Sequence, residues 1–459
     1  MPAAKKAYVC EVCGAEHPKW QGQCAVCGEW NSLKEVRLGS VKGARGSARI
    51  GYAGSKAEVR KLSEVDISEA PRFASGIAEF DRVLGGGVVP GSVSLIGGDP
   101  GAGKSTLLLQ VAVSLCREGR SVLYVTGEES LEQLAARAKR LELNADQLRV
   151  ASEVVAERVA SLIETLAAKL VIIDSVQVMR LESVEGTPGS VSQVREAAAL
   201  FTALAKRSST AFMLVGHVTK EGNLAGPKVL EHIIDCSMML ESPAGGRFRL
   251  LRGVKNRFGA VNELGVFAMT EHGMRGVANP SAIFLQRSDT VSPGSLITVL
   301  WEGTRPILVE IQALVDDIQG SYPRRIALGL DPQRLSMQLA VLHRHGGVSL
   351  VAQDVFVNLV GGVRINETGA DLALILAVLS SFRDKPLPSG LIAFGEVGLT
   401  GEVRAVANGQ ERLQEAAKQG FRAALLPQAN MPRGSKSIGG MALHSVASLK
   451  DAIDRLAEV

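Results

Sequence analysis

Between residues 71 and 275 the chain alternates short apolar runs with longer stretches whose apolar positions recur every third or fourth residue. Val93–Ile96, Ser121–Val125, Leu170–Ile173 and Ala211–Val215 have the length and composition of buried strands. Leu107–Arg117, Leu131–Leu141, Glu157–Ala168 and Val194–Arg207 carry the helical period. Strand followed by helix, repeated, predicts a mostly parallel sheet covered by helices, an α/β nucleotide-binding core. From residue 276 to 459 the pattern changes. Strands at Ile307–Leu314 and at the alternating Asp354–Val360 mix with helices at Gly369–Phe382 and Gln410–Lys418, which predicts a separate α+β domain.

A chain of 459 residues is too long for one core, in keeping with this division. The longest apolar run, Leu372–Phe382, falls short of the ~18 residues a membrane span needs, so no membrane association is expected. Met1–Lys6 is basic with no apolar stretch behind it, so no secretory signal is read and the cytoplasm is the expected compartment. The formal net charge of +4 is too small to argue for a polyanionic partner, but its distribution is uneven. Residues 34–61 hold eight Lys or Arg against Glu35 and Glu58, interleaved with Gly and Ser, which marks 34–70 as a flexible basic linker. Such a segment is either a solvated tether or a nonspecific phosphate-binding arm.

The most specific chemistry lies at Gly98-Asp99-Pro100-Gly101-Ala102-Gly103-Lys104-Ser105, followed by Thr106, which matches the phosphate-loop pattern. A buried strand precedes it and a helix follows, as the motif requires; a mere glycine-rich turn would not need both. Glycines allow backbone N–H groups to curl round an anion at the positive end of the helix. Lys104 is expected to reach the β and γ phosphates of ATP, and the Ser105 hydroxyl to ligate Mg2+.

Three further features carry candidate chemistry. Leu170–Ile173 ends in Asp174, which belongs at the carboxyl edge of the sheet beside the phosphate loop, as a second Mg2+ ligand or as a backbone cap. Thr126-Gly127-Glu128-Glu129-Ser130 also follows a strand; Glu128 is the first candidate and Glu129 the second to orient an attacking water. Alternatively Ser130 caps the next helix and both acids favour its dipole. Lys255-Asn256-Arg257-Phe258-Gly259 follows the strand Phe248–Leu251 and projects two cations to one side of an extended chain. They are either a solvated basic turn or a finger offered to a phosphate on a neighbouring subunit. Loops Met179–Gln193 and Val218–Lys228 also follow core strands, where binding loops gather.

Residues 1–33 hold four of the six cysteines, as Cys10-x2-Cys13 and Cys24-x2-Cys27. Two such pairs in a cytoplasmic chain argue for a structural Zn2+ with all four positions filled by protein. Gly14 and Gly28 follow the second cysteine of each pair, Trp20 and Trp30 are expected to cover the sulfurs, and the ten-residue gap between the pairs, short for a ribbon, still allows a small hairpin. Cys116 and Cys236 read as buried core thiols.

The four-cysteine motif, the phosphate-loop core with Lys-Asn-Arg-Phe-Gly at 255–259 and the α+β tail together resemble the RadA (Sms) family of bacterial DNA-repair proteins, over nearly the whole chain. The resemblance implies an N-terminal zinc ribbon, a RecA-like P-loop ATPase over 71–275 and a C-terminal Lon-protease-like domain. It also implies a ring, expected to be a homo-hexamer, that binds single-stranded and branched DNA, promotes branch migration and works with a recombinase. Lon proteases use a serine activated by a lysine. Matching their motifs to Asn366–Ala373 and to Gly395–Gln410 puts Ala370 at the nucleophile and Gln410 at the lysine, so the tail is expected to be non-proteolytic. Ser380 and Thr368 are the substitute nucleophiles to consider.

Overall fold

The computed structural model describes residues 6–10, 15–17, 19–37, 61, 72–216, 228–242, 246–281, 285, 292–362, 364–365 and 367–456. The chain forms two compact units, Met1–Ser242 with Arg247–Val277, and Pro243–Gly246 with Ala278–Val459.

At the N-terminus, β1 (Lys6–Cys10) pairs antiparallel with both β2 (Glu16–His17) and β3 (Leu33–Arg37), which makes a three-stranded sheet. Residues 34–37 of the expected linker therefore belong to a strand. Of the rest of that linker only residue 61 is among the described residues.

The nucleotide-binding core follows as α1 (Ala78–Leu84), β4 (Val93–Gly98), α2 (Lys104–Arg117), β5 (Val122–Thr126), α3 (Leu131–Arg140), β6 (Arg149–Ser152), α4 (Ala156–Leu166), β7 (Leu170–Asp174), α5 (Val191–Ser208), β8 (Ala211–Val215), α6 (Lys228–Ile233) and β9 (Cys236–Glu241). Then come β10 (Phe248–Asn256), β11 (Leu264–Thr270) and β12 (Gly273–Gly276). The strands form a nine-stranded sheet in the order β12-β11-β10-β9-β4-β8-β7-β5-β6, parallel from β9 to β6 and antiparallel beyond. Alternate residues of each central strand enter two cores. Ile96, Tyr124, Ile172 and Met213 pack with helices α1, α2 and α3, whereas Leu95, Val125, Ile173 and Leu214 pack with α4 and α5. Burial on both faces is why these strands read as unbroken apolar runs.

The C-terminal unit has an eight-stranded mixed sheet whose long central hairpin joins Ser295–Glu302 to Arg305–Asp317. The helix Asp371–Phe382 is buried from Asp371 to Ser380, and the helix Gly409–Lys418 covers another part of the sheet. In this unit parallel and antiparallel pairings are interspersed across the whole sheet, so its strands carry no single pattern.

Candidate nucleotide and metal sites

The loop 98–106 runs from the carboxyl end of β4 into α2, whose N-cap is Gly103 at φ 103°. Only glycine fits at Gly98. Its φ is 148°, and a Cβ there would stand 2.3 Å from the Leu240 carbonyl oxygen on β9. Helix α2 begins at Lys104, three residues earlier than the apolar period indicates, because its first turn is the polar Lys104-Ser105-Thr106. Lys104 is buried and donates to the carbonyls of Gly98 at 2.6 Å and Asp99 at 3.0 Å. Burial lowers the pKa of this ammonium, while the nearby carboxylates of Asp174, Asp99 and Glu128 act in the opposite direction. The left-handed glycines, the buried lysine and the amino end of a long helix together fit a nucleotide phosphate chain.

Asp174 closes β7 and is buried. It accepts a 2.6 Å hydrogen bond from the Tyr124 hydroxyl on β5, and burial together with this carboxylate raises the tyrosine pKa well above its usual value. Ser175 donates to Glu128. Glu129 is instead ion-paired with Arg137 of α3, and its backbone exchanges hydrogen bonds with the Thr126 hydroxyl. Ser130 caps α3 in a capping box with Gln133, so the capping alternative is real and coexists with the placement of Glu128 near Lys104. Tyr124, Ser175 and Arg249, which donates to the Ala102 carbonyl at 3.1 Å, escape sequence reasoning. A strand tyrosine reads as core, and Arg249 arrives from β10, 147 positions away from Ala102.

Lys255 and Arg257 lie elsewhere. Strand β10 continues to Asn256, beyond the predicted end at Leu251, so Lys255 is a strand residue rather than part of a turn. It pairs with Ser237, which pairs with Leu95, whereas Gly98 pairs with Leu240. Three residues of strand separate the two levels, about 10 Å. The phosphate loop extends away from one end of that interval and Arg257 from the other. Lys255 donates to the carbonyls of Glu231 and of Ile234, the latter at 2.7 Å, and Arg257 pairs with Asp235 at 3.4 Å. Both cations thus face the α6–β9 junction at the amino edge of the sheet, opposite the phosphate loop.

Loop Met179–Gln193 borders a cavity of about 570 Å³ and is fastened from inside by buried Gln193, which donates to the Val184 carbonyl at 2.6 Å. Loop Val218–Lys228 lies outside the described residues but for the backbone of Lys228.

In the N-terminal sheet the sulfurs of Cys10, Cys24 and Cys27 lie within 4.8 Å of one another, and Cys10 Sγ is 3.6 Å from Cys27 Sγ. Tetrahedral zinc with 2.3 Å bonds needs sulfurs about 3.8 Å apart, so the cluster fits that metal. Cys13 and Gly14 lie outside the described residues, and Gly28 has the expected positive φ of 75°. Trp20 and Trp30 are 56% and 67% exposed, and among the described residues it is Leu33 with Tyr8 and Ala15 that packs against Cys10 and Cys24. The strand β3 supplies this cover because its pairing with β1 brings Leu33 directly opposite Cys10. Cys116 and Cys236 are buried, and burial raises the Cys236 thiol to about 12.

Among the described residues no helix is long and apolar enough to cross a membrane. In comparisons with known proteins, residues 8–35 match a rubredoxin metal binding domain, 60–223 an AAA domain and 335–430 the subunit ChlI of Mg-chelatase. These matches agree with a zinc ribbon, a RecA-like P-loop ATPase core and a ChlI/Lon-like C-terminal domain. DNA repair protein RadA of Escherichia coli is 59% identical over 98% of both chains. Its counterpart in Haemophilus influenzae is 57% identical over 98% of both, and that of Bacillus subtilis 45% over 96% of this chain and 97% of its own. The phosphate-loop core, the cysteine cluster and this full-length similarity make the chain a member of the RadA family of DNA repair proteins.

Proposed function

We propose that this chain is a DNA-stimulated ATPase that binds single-stranded DNA and uses hydrolysis to drive branch migration of recombination intermediates. It works as a ring, expected to be hexameric, with each active site shared between neighbours. The observation that carries this reading is the separation of Lys104 from Lys255 and Arg257 on opposite edges of one sheet. Cations that cannot reach their own nucleotide can stabilise transition-state charge on the next subunit's.

In this reading the amides of 98–106 cradle the phosphates, and Lys104 exchanges the Gly98 and Asp99 carbonyls for the β and γ phosphates. Ser105 and Asp174 would hold Mg2+, with Tyr124 fixing the Asp174 carboxylate. The ion supplies neutralisation of phosphate charge when bound. Glu128 orients the water, since Glu129 is committed to Arg137. Loops Met179–Gln193 and Val218–Lys228 contact the DNA strand, with the basic segment 34–70 adding salt-sensitive phosphate contacts.

The C-terminal unit acts as a non-proteolytic assembly scaffold. Ala370 is buried and offers no nucleophile, and Gln410 is exposed on its helix. Ser380 donates to the Lys385 carbonyl at 2.6 Å and Thr368 to Glu396 at 2.6 Å, so both hydroxyls have structural partners.

The test of sharing mixes Lys104→Ala with Arg257→Ala chains. Each alone is expected to be inactive; phosphate release recovers in mixed rings, where one site keeps both Lys104 and a neighbour's Arg257. No recovery in verified mixed assemblies sinks the shared site. A second reading, a nucleotide-gated scaffold that recruits a recombinase or helicase, uses the same site. Strand displacement on forked DNA separates the two, because the scaffold binds DNA without unwinding it.

A further inference from the structure

We infer that Asp235 is a positioning residue for the cation pair Lys255 and Arg257, setting the direction in which Arg257 leaves the subunit. The inference rests on the shared-site reading and names a group that reading does not use. Asp235 sits in the turn between α6 and β9 and is 2% exposed. Its Oδ2 accepts the Val93 amide at 3.0 Å and the Lys206 ammonium of α5 at 3.0 Å; its Oδ1 meets the Arg257 guanidinium at 3.4 Å. Its own carbonyl accepts the Arg257 amide at 3.1 Å. One residue back, the Ile234 carbonyl accepts Lys255. Asp235 and the carbonyl before it therefore hold both cations.

The partners divide the work. A buried carboxylate needs a cation beside it, and Lys206 with the Val93 amide already meets that need. Arg257 is 55% exposed, and so exposed a pair adds little to stability. What it does is restrict a long side chain to few rotamers, and a contact made in the transition state is sensitive to ångström-scale placement. Because Val93 opens β4, which ends at the phosphate loop, the same carboxylate also ties the exported cations to the strand that carries the subunit's own site.

Asp235→Asn keeps an acceptor for the Val93 amide and removes the charge that holds Arg257. It is expected to lower kcat for ATP about tenfold or more, with KM within about twofold, since ATP is bound by the other edge of the sheet. Mixed assemblies separate positioning from damage. Asp235→Asn chains should regain activity with Lys104→Ala chains, which supply an intact Arg257, and should not regain it with Arg257→Ala chains. An unchanged kcat, or no recovery with Lys104→Ala where Arg257→Ala does recover, overturns the assignment. No recovery in either mixture removes the shared site first and this role with it. Should Asp235→Asn fail to fold, Asp235→Glu displaces the guanidinium while keeping the charge; full donor activity in that variant likewise overturns the assignment.

Discussion

Two adjacent carboxylates with the same chemistry have different partners. Glu129 faces Arg137 and is a quarter to a third exposed, while Glu128 meets Ser175 and lies within the field of Lys104. Glu128→Gln is therefore expected to lower kcat by about 10²-fold or more with nucleotide binding retained. Glu129→Gln should leave kcat within a few-fold of the parent. Steady-state phosphate release with a nucleotide-binding titration checks both, and equal losses would remove the distinction. No property of the dipeptide itself foretells this, because the partners come from α3 and from the residue after Asp174.

At the scale of elements, the phosphate loop joins the carboxyl end of β4 to the amino end of α2. Three devices hold the neighbouring connection from β5 to α3: the Thr126 hydroxyl on the Glu129 backbone, the capping box of Ser130 with Gln133, and the Arg137–Glu129 pair. Ser130→Ala removes the cap and is expected to cost about 1 kcal/mol in chemical denaturation. It should also loosen Glu128, two residues before, giving a smaller fall in kcat than Glu128→Gln gives. A stability loss with unchanged kcat would mean that the cap holds the helix and not the carboxylate.

At the scale of the whole molecule, the C-terminal unit keeps an arginine and its carboxylate partner beside Gly369 and Ala370. Arg412, fully buried, donates to both oxygens of Glu367 at 2.8 and 2.6 Å and to the Ala407 carbonyl at 2.9 Å, and Glu367 also accepts the Trp301 amide. Its guanidinium lies 3.3 Å from where a Cβ on Gly369 would be, next to Ala370. Replacing the arginine with Met leaves the partly exposed Glu367 without its cation. The expected cost is about 2 kcal/mol in denaturation of the unit, below the range for a fully buried pair because Glu367 is 26% exposed and keeps the Trp301 amide. ATP hydrolysis measured below that transition tests the proposed scaffold role: a tail that only folds on its own leaves hydrolysis unchanged, and one needed for assembly lowers it.

The sequence by itself determined what is local. The phosphate loop is legible because its chemistry sits in eight consecutive residues, and the central strands because burial on both faces leaves an unbroken apolar run. A polar first turn, such as Lys104–Thr106, hides a helix start by up to three residues. Residue type points to Trp20 and Trp30 as the cover of the cysteine cluster, whereas the register of β1 against β3 puts Leu33 there. What only the tertiary structure decided is which residues meet across distance: Tyr124 with Asp174, Arg249 with Ala102, and Asp235 with Val93, Lys206 and Arg257. It also decided that the phosphate loop and the Lys255–Arg257 pair lie at opposite edges of one sheet. The physical reason is register. Spacing along a chain fixes the face on which a side chain lies, but the level at which β10 pairs with β9, and β9 with β4, is set by the packing of the whole sheet.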